Sequence, residues 1–457
     1  MFALMDKKIL VVGLARSGAA AAKAAAALGA EVWGYDVKDA SELGAAALEP
    51  FGAGRLFLGG AEPLGDEGWD LLVLSPGVPP GLPVIARAVK NGAEAIGELE
   101  LAWRLSRAKF AAVTGTNGKT TTVTLLGEMF RSGGRRAEVV GNIGVPAVSK
   151  AIDEGADGEL WLVVEVSSFQ LESSKDFRPA VSALLNITPD HMDRHMRMEA
   201  YAAAKARIFR NQTEDDFFVV NRDDEAAWSL AAGCPARVVP FSRKIEPEAR
   251  PCAFVSDGHI ALKGEDGAET RLCACGELKI PGAHNLENAL AAAACAFCAG
   301  IGPEAIGQAL RSFGGVAHRL ETVGAVGGVR FVNDSKGTNP DAAIKALEAM
   351  DGEVLLIAGG YDKGASFERF ADALQGRVSH LLLMGATAGR IKAAAESAGF
   401  GRCVMCGDME RCVETAFRLA SDGDTVLLSP ACASWDMYSG FEERGGHFRR
   451  CVEALRG

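Results

Sequence analysis

Continuous apolar runs alternate along the chain with alanine-rich stretches of helical character. KKILVVG at 7–13 leads into SGAAAAKAAAALG and then AEVWGYD, and LLVLSPG follows at 71–77. Short apolar runs separated by helix-forming segments are the wording of β-α-β units, and such units build parallel sheets. The wording restarts twice, at FAAVTGTNGKTT from 110 and at VRFVNDSKGTNP from 329, each time opening a fresh series of strand and helix segments.

These restarts predict three α/β domains. A chain of 457 residues is in any case too long for one hydrophobic core. We place the domains at 1–105, 106–305 and 306–457. The first ends after the helix-like GELELAWRLSRA, where a new buried strand begins. The second division falls between 300 and 316, where the helices NLENALAAAACAFCAG and IGPEAIGQALRSF give way to Gly314 and Gly315. The alanine runs are helix formers and not low-complexity linkers.

Composition narrows the function classes. Hydrophobic residues at 48% and charged residues at 23% are those of a soluble globular protein. A net charge of −11 offers no basic footprint for nucleic acid, so anionic ligands must be held by local charge. No apolar stretch approaches a spanning helix, and the opening MFALMDKKILVVG lacks the order of a secretory signal, so we expect no membrane partner. Eleven cysteines at low density suit a reducing cytoplasm. Neither Cys403 with Cys406 nor Cys273 with Cys275 completes a zinc motif, and packing is the expected role of all four.

Two glycine loops carry candidate chemistry. Gly13, Ala15 and Gly18 stand in the three positions of a dinucleotide fingerprint, and Asp36 ends the next strand where a ribose hydroxyl could be bound. Alanine at the middle position argues against a tightly cradled pyrophosphate. A ligand-free tight turn and a loosely held nucleotide diphosphate both remain open. The second loop is stronger: TGTNGKTT at 114–121 lies between a strand and a helix, the context in which backbone N–H groups surround phosphate oxygens. Lys119 would reach the β- and γ-phosphates and the Thr120 hydroxyl a Mg²⁺ ion. Val113 departs from the usual opening glycine. The strand ELWLVVEV then delivers Glu165 to the edge beside the loop, where a metal-binding or water-ordering carboxylate fits.

At this point the residues resemble the Mur ligase family. TGTNGKTT, GNIG at 141–144, EVSSFQLE at 165–172, NITPDHMDRH at 186–195 and YAAAKARIF at 201–209 look like its central ATPase domain. PGAHNLENALAA, HRLE and VNDSKGTNP continue the likeness. SPACASWDMYSGFEERGGHF at 429–448 resembles the ending of the family's D-glutamate-adding members. The resemblance implies a Rossmann-like first domain, a P-loop ATPase central domain on a parallel sheet and a Rossmann-like last domain. It implies an ATP-dependent ligase of peptidoglycan synthesis that adds D-glutamate to UDP-N-acetylmuramoyl-L-alanine through an acyl phosphate, using two Mg²⁺ ions and acting as a cytoplasmic monomer.

The same likeness implies roles residue by residue. Gly115, Thr116, Asn117, Gly118, Lys119, Thr120 and Thr121 match the phosphate loop, with Asn285, Arg319, Asp334 and Lys336 completing the ATP site. Thr120, Glu165, His191 and a carbamylated Lys205 match the metal site, and Lys119, Glu165, His191 and Lys205 the catalytic set. Arg16, Ser17, Asp36, Lys38, Gly77 and Asn142 match the UDP-precursor site. Thr338, Lys363, Ser434, Trp435 and Phe441 match the D-glutamate site; tryptophan at 435 replaces a smaller apolar residue and bears on that pocket's shape. From the residues alone, Lys205 reads as a solvated helix lysine and His191 as a packed histidine. Rival readings are another amide ligase of this architecture, such as a folylpolyglutamate synthetase; an ATP-switched binding protein; and an NAD-dependent oxidoreductase, which leaves the second glycine loop unexplained.

Overall fold

The structure is a computed structural model that describes residues 3–52, 54–61, 68–79, 81–153, 158–361 and 364–456. Three sheets follow one another along the chain. The first holds β1 (Lys8–Val12), β2 (Glu31–Tyr35), β3 (Leu56–Phe57), β4 (Leu71–Leu74) and β5 (Glu94–Gly97), all parallel in the order β3-β2-β1-β4-β5. The near-continuous apolar runs are the central strands β1 and β4, buried throughout except at Lys8, where β1 begins. The fingerprint glycine Gly18 is required by packing: a Cβ there would lie 1.8 Å from the Gly13 carbonyl oxygen.

The second sheet continues with β6 (Lys109–Thr114), β7 (Ala137–Gly141), β8 (Trp161–Glu165), β9 (Val181–Leu184), β10 (Phe217–Asn221) and β11 (Arg237–Ser242). β12 (Cys252–Ser256), β13 (His259–Lys263) and β14 (Glu269–Ala274) extend it, in the order β14-β13-β12-β11-β10-β9-β6-β8-β7. It is parallel from β7 to β12, and β13 and β14 are an antiparallel extension. The third sheet, β15 (Glu321–Val326), β16 (Val329–Asn333), β17 (Val354–Ala358), β18 (Val378–Met384), β19 (Cys403–Gly407) and β20 (Thr425–Leu428), runs β15-β16-β20-β17-β18-β19 with only β15 antiparallel. The expected three-part α/β architecture is present.

Open parallel sheets bind ligands outside the carboxyl ends of strands where the winding reverses. In the first sheet that point lies beside β1, in the second beside β6, and in the third beside β20. The first glycine loop, the phosphate loop and the SPACAS segment each follow one of these strands.

The divisions in sequence and in space differ. The helix Pro303–Ser312 packs Ile306, Ala309 and Leu310 into the central core beside Leu125, Met129 and Leu290. The division we expected after 305 therefore falls inside a helix that belongs with the central layer, and the chain leaves that layer beyond Phe313. Between the first two sheets the buried cluster is continuous: Ile9, Val11 and Ala21 share it with Val148, Leu162 and Phe177.

One carboxylate pins that junction. Glu100, fully buried on the helix Glu98–Leu105, accepts backbone N–H groups of Lys175, Asp176 and Phe177 at 2.9–3.1 Å and pairs with Arg104 at 2.8 Å. Glu94 and Asp176 occupy the rest of the same guanidinium. Removing the carboxylate leaves three backbone N–H donors without their acceptor and takes from the Arg104 guanidinium its one buried partner, with Glu94 and Asp176 remaining. Glu100→Ala should lower the unfolding free energy by about 3–5 kcal/mol, read from urea denaturation; a loss below about 1 kcal/mol would show that the junction does not depend on it.

Candidate active site

The crevice beyond β1 is a cavity of about 530 Å³ whose wall includes Arg16, Ser17, Asp36, Gly77, Asn142 and Gln170. Five of the six residues expected at a nucleotide end therefore face one space. Lys38 is exposed and outside that wall, and its neighbour Val37 stands there instead. Asp36 also acts on its own loop, since its carboxylate accepts Leu14 N–H at 2.7 Å and Lys38 N–H at 2.9 Å. Gly13, with φ +85°, is held by the Ser75 hydroxyl, which donates to its carbonyl at 2.7 Å. The cavity crosses into the central domain at Gly141 and Asn142.

Asn142 leads directly to the phosphate loop. Its Nδ2 donates to Glu165 Oε1 at 2.9 Å, and the Thr120 hydroxyl donates to Glu165 Oε2 at 2.7 Å. Burial alone would raise the Glu165 carboxyl, but Lys336 and Lys119, with the Asn142 and Thr120 hydrogen bonds, hold it below its usual value. Gly118 begins the helix Lys119–Ser132 at φ +88°, and a Cβ there would strike Asn288 Oδ1 at 2.1 Å. Lys119 Nζ donates to the Gly115 and Thr116 carbonyls, each at 2.8 Å.

Lys205 meets the same loop from the helix Met198–Ala206. Its Nζ donates to the Gly115 carbonyl at 2.8 Å and lies over the Tyr201 ring. The side chain is buried, not solvated as its alanine-rich surroundings suggested, and burial with Lys119 nearby pushes its pKa well below the lysine range. His191 takes a left-handed φ of 55°, a conformation costly for a non-glycine residue. Its ring packs edge-on to Phe169, and its Nε2 lies 3.6 Å from Asp190 Oδ2.

The third domain closes the cleft. Arg319 Nη2 donates to the Thr120 hydroxyl at 3.1 Å, while its buried Nε has no hydrogen-bond partner. Arg319, Asp334, Asn285, Asn117, Gly118 and Thr121 line one narrow cleft. Lys336 packs over the Phe441 ring, 4.5 Å from its centre, and burial pushes it down to about 8 despite the nearby Glu165. A further cavity of about 340 Å³ lies between the domains and takes in His191, Thr338, Asn339, Tyr361, Phe367 and Arg369. Of the residues expected at an amino-acid pocket, Thr338 lines it; Ser434 is buried and Trp435 exposed, neither of them in its wall, although Trp435 packs against the wall residue Tyr361 with ring centres 5.5 Å apart. Phe441 is on the Lys336 side, and Lys363 lies outside the described residues.

Sequence reading missed several connecting groups. Asp341 accepts from Asn117 Nδ2 at 2.8 Å and from the Thr188 hydroxyl at 3.3 Å, joining the third domain to the phosphate loop. It sits one residue past Pro340 in the first turn of Pro340–Glu348, where an acidic residue is ordinarily explained by the helix alone. Arg444 is buried and donates to the Ser335, Cys432 and Ala433 carbonyls at 2.7–3.1 Å, clamping the loops after β16 and β20 together.

The donor set fits a nucleotide with its cation. Thr120 and Glu165 offer hard oxygens, and Arg319 carries an unspent buried N–H beside them. Residues 113–296 match the Mur ligase middle domain, and 318–432 match the Mur ligase glutamate ligase domain. The UDP-N-acetylmuramoylalanine--D-glutamate ligase of Thermoanaerobacter pseudethanolicus is 46% identical, with 99% of each chain covered. The chain belongs to the Mur ligase family. The enzyme of the same name from Clostridioides difficile is 44% identical over 99% of this chain and 100% of its own. Among solved structures, Thermotoga maritima UDP-N-acetylmuramate-alanine ligase MurC shares the fold with a TM-score of 0.60 at 19% identity, covering 98% of this chain and 99% of its own. MurF ligase from the same organism, solved with ADP, gives 0.59 at 18%, covering 85% and 96%. Membership makes this Mur ligase an ATP-dependent amide-forming enzyme of cell-wall synthesis with small-molecule substrates.

Asp334 gives the site a pH signature. Burial raises its carboxyl from 3.8 to about 6, against the pull of the Ser429 hydroxyl and Arg319. An acid that keeps its proton longer in the fold contributes stability below its unfolded value and loses it as pH rises through the folded one. Relative to Asp334→Asn, the parent protein should lose on the order of 3 kcal/mol between those two values, measured by denaturant titration across that range. A flat difference would show that Asp334 titrates normally.

Proposed function

We propose that this Mur ligase adds D-glutamate to UDP-N-acetylmuramoyl-L-alanine, as the names of its 44% and 46% identical relatives describe for them. The observation that carries this reading is the bridge at Asn142. It belongs both to the wall of the first cavity and to the hydrogen-bond set of Glu165, so a nucleotide-linked substrate seated in the cavity delivers its far carboxylate toward the phosphate loop.

A carboxylate is unreactive toward an amine until one oxygen becomes a leaving group. In this scheme a carboxylate oxygen attacks the γ-phosphorus of ATP and the bond to ADP breaks. The D-glutamate amine then attacks the acyl carbon, and phosphate departs with the C–O electron pair. Lys119 and Arg319 offset the charge of the phosphates and of the approaching carboxylate. Lys336, its pKa lowered by burial to about 8, faces the same carboxylate set from the third domain. Thr338 and the Tyr361 side of the second cavity hold the incoming amino acid.

Thr120 and Glu165 are the residues that would hold one Mg²⁺, with His191 and Lys205 the candidates for a second. A Mg²⁺ ion held there would supply charge compensation between the two anions and polarisation of the phosphoryl group. Lys205 supports this as a carbamate: burial favours its neutral amine, the form that adds carbon dioxide. ATP and nucleotide-linked precursors belong to the cytoplasm, and among the described residues no helix is long and apolar enough to cross a membrane.

Phosphate release from ATP should require both UDP-N-acetylmuramoyl-L-alanine and D-glutamate, and Lys119→Ala should lower kcat by about 10²–10³-fold with unchanged near-ultraviolet dichroism. Release at full rate without the amino acid, or equal use of L-glutamate, would sink the assignment. Labelled bicarbonate should give a carbamate carbon resonance in the parent protein that Lys205→Arg lacks; identical spectra would remove the carbamate.

A further inference from the structure

The last helix and its neighbour bring together an assortment of side chains that the ligase reaction does not use. Glu410 stands on the helix Met409–Leu419, and His447 and Cys451 stand four residues apart on Phe441–Ala454, which packs against it. Residues at that spacing project from one helix face. One carboxylate oxygen, one imidazole nitrogen and one thiol sulfur all lie within 4.8 Å of one another, and no other group of three such side chains does so among the described residues.

The surroundings favour a ligand set over a chance surface pair. His447 Nε2 faces Glu410 Oε1 at 2.7 Å, and the other ring nitrogen, Nδ1, meets the Tyr438 hydroxyl at 3.0 Å. An outer partner that fixes the second nitrogen is the usual arrangement of a metal-binding imidazole. His447 and Cys451 are half-buried, and Glu410 is exposed, leaving one side open for a water ligand. Tetrahedral zinc with bonds of about 2.0–2.3 Å sets its ligand atoms about 3.3–3.8 Å apart, so an ion would part His447 and Glu410 from their 2.7 Å contact, with all three ligand atoms already within 4.8 Å of one another. Sulfur and imidazole select a borderline-soft cation and reject Mg²⁺.

We propose that Glu410, His447 and Cys451 form a three-ligand site for a zinc-class divalent cation, distinct from the nucleotide site, with Tyr438 orienting His447. Such a cation ties the last helix to its neighbour. Because Tyr438 lies between Ser434 and Phe441 in sequence, it also braces the segment that follows β20.

The test is a cobalt titration of the full-length protein stripped with chelator. One Co²⁺ per chain should bind with a thiolate charge-transfer band and tetrahedral ligand-field bands, displaced by equimolar Zn²⁺ and untouched by excess Mg²⁺. Cys451→Ser should abolish the charge-transfer band, and Tyr438→Phe should weaken binding by about 10-fold while leaving the fold intact by circular dichroism. Cys403→Ser, on the neighbouring strand β19, should change nothing. Absence of the band in the parent protein would overturn the proposal, as would a band that survives Cys451→Ser.

Discussion

Glu165 is the group around which the rest is arranged. A carboxylate taken out of water is costly unless opposite charge and hydrogen bonds compensate it. Here a hydroxyl, an amide and the fields of Lys119 and Lys336 do so, and those partners come from the phosphate loop, from β7's end and from the third domain. The carboxylate in turn keeps buried cations together in a chain whose net charge is −11. Local positive potential is built where the bulk charge would repel a nucleotide.

Contacts between domains extend this arrangement. Arg319 reaches Thr120, and Asp341 reaches Asn117 and Thr188, so the third domain touches the phosphate loop through side chains and not through a broad apolar face. Polar contacts of this kind separate at modest cost because water replaces them. The junction between the first two sheets is the opposite case, with one continuous apolar cluster and Glu100 sealed inside it.

Much of this was legible before any coordinates. Apolar strand runs such as KILVV and LLVL mark the buried centres of parallel sheets, and the loop after β6 had to lie at a reversal of winding. Glu165 ends the strand β8, and Lys119 and Thr120 open the helix after the loop that follows the adjacent β6, so the three converge at one sheet edge. Lys205 was legible only through family likeness: its helix has weak polarity contrast, so nothing local says which face turns inward. Asp341 was invisible for another reason, since its partner Asn117 lies 224 residues away in another domain, and Arg444 because it joins the nearby Cys432 and Ala433 carbonyls to Ser335, 109 residues distant. The helix Pro303–Ser312 follows two glycine-marked breaks, and only its packing on Leu125 and Met129 assigns it to the central layer.

The shared apolar seam beneath the first two sheets has an evolutionary consequence. A first domain fused this tightly to the central one resists exchange between relatives unless both sides of the seam are redesigned. On the function proposed above, the last domain, attached by polar contacts and entered near Gly314 and Gly315, is the part whose exchange would change which amino acid a ligase of this plan accepts.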